Sequence, residues 1–87
     1  MKLLVTKIDK AVLEGRRKEY PYLFIFFKDQ KTGKSFRTHT GPAYFNYRKW
    51  VVVKEGDVLK GLREWKPGII DADSKFSITE RSIDEVK

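Results

Sequence analysis

Residues 20–27 read Tyr20-Pro21-Tyr22-Leu23-Phe24-Ile25-Phe26-Phe27, an aromatic and β-branched run with the composition of a β-strand. Pro21 is expected at the start of this strand, where its missing N–H does least harm. Residues 29–34 have the polar composition of a turn with a late glycine, and residues 35–40 alternate like a returning strand. The three segments together predict a β-hairpin formed by strands two and three.

The chain on either side of this hairpin supplies three more strands and a helix. Residues 2–13 predict a long first strand with a bulge, because their apolar side chains are irregularly spaced. Residues 43–53 mix helical and strand patterns, and we interpret them as a short helix. Residues 58–65 predict strand four, in which Gly61 indicates a bulge or a sharp bend. The alternation of Phe76 and Ile78 predicts strand five.

Size and composition predict one globular domain. The chain has 87 residues, of which 40% are hydrophobic and 36% charged, enough apolar material for a single core. We expect this domain to span residues 1–80, with a polar tail at residues 81–87. The sequence has no cysteine and no run of about 18 apolar residues, so we expect no disulfide, no thiolate metal site and no membrane partner, and a cytoplasmic location.

Positive charge is concentrated in the first part of the chain. Residues 1–54 contain 13 Lys and Arg against 4 Asp and Glu, whereas residues 55–87 contain 6 against 8, for a net charge of +7. A field of this sign attracts polyanions such as nucleic acids. The alternative is a solvated lysine-rich surface that serves solubility alone.

The predicted order of elements is β-β-β-α-β-β, with one short helix between strands three and four. This order, the bent first strand and the glycine in strand four resemble the oligonucleotide-binding (OB) fold, a small mainly β five-stranded barrel. Residues 54–62, Lys-Glu-Gly-Asp-Val-Leu-Lys-Gly-Leu, look like the start of strand four in many members that bind single-stranded DNA. The resemblance implies a ligand held on strands two and three and their flanking loops.

Strand two has two faces that differ in composition. The period of two places Leu23, Ile25 and Phe27 on one face, which we expect in the core, and Tyr22, Phe24 and Phe26 on the other. Three outward aromatic side chains require a ligand, a protein partner or a cover. They are therefore candidates for stacking on nucleic-acid bases, with burial under the helix or in a homodimer interface as the alternative.

Further candidates for nucleic-acid binding are mostly cationic. Arg37 and His39 share the outer face of strand three, and Trp65 is a candidate base-stacking platform or, alternatively, a core residue. Trp50 is assigned to the core or to packing of the helix. The cationic candidates in the loops and in strand four are Arg16, Arg17, Lys18, Lys31, Lys34 and Arg63.

No residue pattern indicates catalysis, a metal site or a cofactor. His39 is the single histidine, and no serine or cysteine nucleophile has an identifiable base. We therefore expect a sequence-tolerant single-stranded DNA-binding protein and not an enzyme. RNA binding, a protein-interaction or dimerisation module, and duplex binding by a chromatin-like barrel remain alternatives.

Overall fold

A seven-stranded sheet curled into a half-barrel forms most of the fold in a computed structural model that describes residues 1–12, 14–15 and 17–81. The elements are β1 (Lys2–Ala11), β2 (Tyr22–Lys28), β3 (Ser35–Thr40), α1 (Tyr47–Val51), β4 (Val58–Lys60), β5 (Glu64–Lys66), β6 (Ile69–Ile70) and β7 (Ser77–Glu80). The strands are ordered β5-β6-β3-β2-β1-β4-β7. The predictions of a mainly β fold and of a short helix after strand three are confirmed.

The first three strands form an antiparallel meander. β1 carries the expected bulge, because its pairing with β2 shifts by one residue between Val5 and Lys7. β2 and β3 pair in the register Ile25↔Thr38, which confirms the hairpin. β1 ends at Ala11, and Leu13, the predicted last residue of this strand, lies outside the described residues.

The prediction of a closed five-stranded barrel is wrong. Strand four, predicted as one element over residues 58–65, is divided into β4 and β5 by Gly61, whose φ of +90° takes the chain out of the β4 ladder. Residues 64–70 then form a β5–β6 hairpin around Gly68, although residues 66–68 were expected only to end strand four. β6 pairs in parallel with β3 through Arg37 and Ile69 and so occupies the β3 edge at which a five-stranded barrel would close.

The core lies on the concave side of the sheet and is covered by α1. Trp50 is fully buried there, with its ring 4.2 Å from that of Phe76 and its indole N–H donating to the Ala72 carbonyl at 2.8 Å. This confirms the assignment of Trp50 to the core. The other members of the buried apolar cluster are Leu3, Val5, Leu23, Ile25, Phe27, Phe36, Tyr47, Val53, Leu59, Leu62, Ile70 and Phe76.

The stretch that resembles OB-fold proteins has a structural role in this chain. Asp57 is completely buried, and its carboxylate accepts the Lys54 N–H at 2.9 Å, which closes the turn before β4. Gly56 has a φ of +93°, and its N–H donates to the Val5 carbonyl at 2.8 Å. The turn is thereby fixed to the bulge of β1, and the buried Asp57 supports the sheet while Lys54, Glu55 and Gly56 remain exposed.

The ends of the fold are described only in part. Residues 82–87, most of the predicted polar tail, lie outside the described residues, as does Arg16 in the loop before β2. Within the described part of the chain, no helix has the length and apolar character needed to cross a membrane.

Candidate nucleic-acid interface

The outer face of the β2–β3 hairpin combines aromatic and basic side chains. Phe24 lies opposite His39 and Phe26 opposite Arg37 in the register of the two strands. Phe24 is 41% exposed, and its ring centroid lies 6.3 Å from that of His39. We call these four residues the outer face. All four are candidates named from the sequence.

Tyr44 extends the outer face beyond the end of β3. The turn after Gly41 brings the Tyr44 ring edge-on to His39, with centroids 6.0 Å apart and the phenol oxygen 3.3 Å from the histidine Nε2. Phe24, His39 and Tyr44 therefore form a continuous row of three rings. Tyr44 was not among the site residues predicted from the sequence, in which its only signal is its position just after a Gly-Pro turn.

The β5–β6 hairpin forms a wall beside this row. Trp65 is 64% exposed on β5, and the Lys66 ammonium lies 4.4 Å from the centroid of its indole ring. Between the hairpin and β3 lies a cleft of about 360 Å³, which we call the aromatic cleft. It is lined by Thr38, His39, Tyr44, Trp65, Ile69, Ile70, Asp71, Ala72 and Asp73. The alternative that Trp65 is a core residue is therefore wrong, because its side chain is exposed.

Arg37 is the best-placed cation of the outer face. It is exposed, and within the described part of the chain no carboxylate lies within 4 Å of its guanidinium. A shallow cleft beside it is lined by Phe26, Pro67 and Ile69, among others. An aromatic surface thus lies directly beside a cation that forms no ion pair with the described residues.

The other cationic candidates differ in how they are engaged. Lys31 is exposed at the tip of the β2–β3 hairpin. The Lys34 ammonium lies 3.9 Å from a carboxylate oxygen of Glu64 and 5.0 Å from the centroid of the Phe36 ring. Glu64 therefore partly compensates its charge. Arg17 and Lys18 are exposed in the loop before β2.

Arg63 has an intramolecular partner and acts as a positioning residue. Its guanidinium donates to Asp71 at 2.5 Å, and its backbone N–H donates to the Ser74 hydroxyl at 2.9 Å. The hydrogen bond from Arg63, followed by that from the Asp73 backbone N–H, lowers the pKa of the Asp71 carboxyl below its ordinary value. Arg63 therefore fixes the loop that lines the aromatic cleft.

Tyr22 also supports the site rather than extending it. Its ring packs over Gly41, so closely that a Cβ placed on that glycine would lie 2.5 Å from the ring. Tyr22 is half-buried and does not line the aromatic cleft. The Tyr22–Gly41 contact holds the turn from which Tyr44 projects.

A second exposed apolar region lies next to α1 and was missed by the sequence analysis. Phe45 is fully exposed, and a groove of about 470 Å³ beside it is lined by Glu19, Tyr20, Pro42, Tyr44, Tyr47, Arg48 and Val51. Tyr44 lies between this groove and the aromatic cleft, because it lines both. The two regions are neighbouring surfaces.

Comparison of the chain with protein-family models, with curated proteins and with solved structures found no match. Within the described residues, no group of three or more His, Asp and Glu side chains is placed to hold a metal ion.

Proposed function

We propose that the protein binds single-stranded nucleic acid, in the first place single-stranded DNA, through the outer face and the aromatic cleft. The observation that supports this most is the row Phe24–His39–Tyr44 with Trp65 across the cleft and Arg37 beside it. Exposed rings stack on bases of any sequence, and cations along their margin neutralise phosphates. The role is binding and not catalysis, with RNA as the alternative ligand of the same chemistry.

The test is a fluorescence-anisotropy titration of labelled single-stranded DNA, duplex DNA and RNA at 50 and 200 mM salt. About four neutralised phosphates give a single-strand salt slope near −3, so affinity should fall by about 50-fold over this range. Equal affinity for duplex and single strand would indicate backbone coating and contradict the proposal. Absence of binding to all three would overturn it.

Two variants separate stacking from general surface effects. Trp65→Ala should weaken binding of an eight-nucleotide strand by about 5- to 150-fold, because one stacked base contributes about 1–3 kcal/mol. Phe45→Ala removes an exposed ring outside the aromatic cleft and should change the affinity less than twofold. Since Trp50 is fully buried, quenching of tryptophan fluorescence on binding should come from Trp65 and vanish in Trp65→Phe.

Self-association is a second candidate function, favoured by one observation. Phe45 is fully exposed beside an apolar groove that α1 leaves uncovered. Exposed apolar patches of this kind mark protein interfaces, and a second copy of this chain would cover the groove. Sedimentation should then show a dimer that is insensitive to salt and is lost in Phe45→Ser, whereas a monomer at every concentration would contradict this candidate.

A further inference from the structure

The aromatic cleft differs from the basic surface around it, because two carboxylates line its wall. Asp71 is engaged on both oxygens, one by the Arg63 guanidinium and the other by the Asp73 N–H at 2.9 Å. Asp73 is exposed, and within the described residues its carboxylate accepts no hydrogen bond and forms no ion pair. The cleft therefore offers a negatively charged hydrogen-bond acceptor between aromatic walls.

A carboxylate at this position disfavours phosphate in the cleft and favours a base. Phosphates would be repelled by Asp73 and attracted to Arg37 and Lys66 outside it. The rings of His39, Tyr44 and Trp65 line the cleft, and its volume of about 360 Å³ is large enough for one base with its sugar. A bound strand would thus place one base in the aromatic cleft and its phosphates next to Arg37 and Lys66.

The acceptor distinguishes the four bases by their Watson–Crick edges. Guanine presents two adjacent donors, N1–H and the N2 amino group, which match the two oxygens of a carboxylate. Adenine and cytosine each present one amino group beside a ring-nitrogen acceptor, and thymine presents one N–H between two carbonyls, so a carboxylate accepts from these bases through one oxygen only. A free carboxylate beside stacking rings therefore selects guanine.

We propose that the aromatic cleft is a guanine-accepting subsite, in which Asp73 accepts hydrogen bonds from the N1–H and N2 amino group of a stacked base. The inference rests on the proposed function and refines it, since binding is otherwise tolerant of sequence. A bidentate contact of this type discriminates by about 1–3 kcal/mol, and Asp73 is exposed to water, so we expect the lower end, about fivefold in affinity.

The experiment is a titration of ten-nucleotide thymidine strands with one central thymine replaced by guanine, hypoxanthine, adenine or cytosine. Guanine should bind about fivefold more tightly than the all-thymidine strand, with hypoxanthine, which lacks the N2 amino group, in between. Asp73→Asn should remove the guanine preference while affinity for the all-thymidine strand is kept or rises, because a negative charge is lost. Glu80→Gln, the same charge change on β7 at the far edge of the sheet, should retain the preference.

The outcomes separate the two proposals. If the all-thymidine strand binds and guanine adds nothing, the guanine subsite is wrong and the proposed function stands. Persistence of the guanine preference in Asp73→Asn would also overturn it, since another group would then be the acceptor. Absence of binding to every strand would overturn the proposed function itself.

Discussion

Gly61 makes the bend that separates β4 from β5, and replacing it with alanine should destabilise the fold strongly. Its φ of +90° costs an alanine about 1–2 kcal/mol. The added Cβ would also lie 2.7 Å from the Lys75 carbonyl oxygen, a backbone atom that cannot rotate away. Crowding of this kind destabilises the folded state by about a further 1–3 kcal/mol. The lower conformational entropy of the unfolded alanine variant offsets about 0.4–1 kcal/mol of this loss. We expect Gly61→Ala to lose about 2–4 kcal/mol.

Gly68→Ala is the matched control. Gly68 has a similar φ of +80°, but no atom lies within 4 Å of the position its Cβ would take. It should therefore lose only about 1 kcal/mol, from backbone strain alone. Urea unfolding at 25 °C, followed by circular dichroism, measures both free energies. Equal losses in the two variants would refute the reasoning, because they would mean that Gly61 is not packed against the Lys75 backbone.

Three further predictions concern charge and polarity. Arg37→Ala should lower the salt slope of single-strand binding by about 0.7, whereas Lys60→Ala, which removes the same charge on β4, should leave it unchanged in the same titration. Thr40 is fully buried, and its hydroxyl has no hydrogen-bond partner in the described part of the chain. Thr40→Val should therefore leave the free energy of unfolding in urea unchanged or raise it by up to about 1 kcal/mol. Because the pKa of Asp71 is lowered in the folded state, its ion pair with Arg63 stabilises the fold above the ordinary carboxyl pKa and this stability is lost as the pH falls through the folded pKa. Asp71→Asn should therefore be about 0.5–1 kcal/mol less stable at pH 7. The difference should shrink as the pH falls below the ordinary carboxyl pKa, in urea unfolding curves measured at several pH values.

The strands with strict alternation could be predicted from the sequence. On β2, Leu23, Ile25 and Phe27 are buried as expected, while Phe24 on the opposite face is exposed. A period of two fixes which side chains share a face, and the more aliphatic face is favoured in the core. The outer position of Arg37 and His39 follows from the same rule on β3.

The fold was predicted wrongly at Gly61, because a glycine in a strand is compatible with more than one pairing of the residues that follow it. A bend at Gly61 was expected and is observed. Local sequence does not determine whether the residues after the bend continue to pair with the same neighbouring strands. Here they do not, and Pro67-Gly68 is the tip of a new hairpin rather than the end of strand four. Closure of the barrel was predicted wrongly for this reason.

The missed site residues depend on packing. Tyr44 lies next to His39 after a turn at Gly41, over which the Tyr22 ring packs closely. Arg63 was grouped with the ligand-binding cations from its charge alone, and its pairing with Asp71 requires the chain to return from the β5–β6 hairpin. Neither relation is visible in local sequence patterns.

The wall of the aromatic cleft is attached to the rest of the sheet by few contacts. β6 is two residues long and meets β3 through one register pair, supported by the Arg37 N–H to the Gly68 carbonyl at 3.0 Å and the Thr38 hydroxyl to the Ile70 carbonyl at 2.7 Å. A segment held by so few bonds opens locally at a lower free energy than the central strands. Its amide hydrogens should exchange with solvent sooner than those of β1, β2 and β3, and a bound strand that bridges the cleft would slow that exchange.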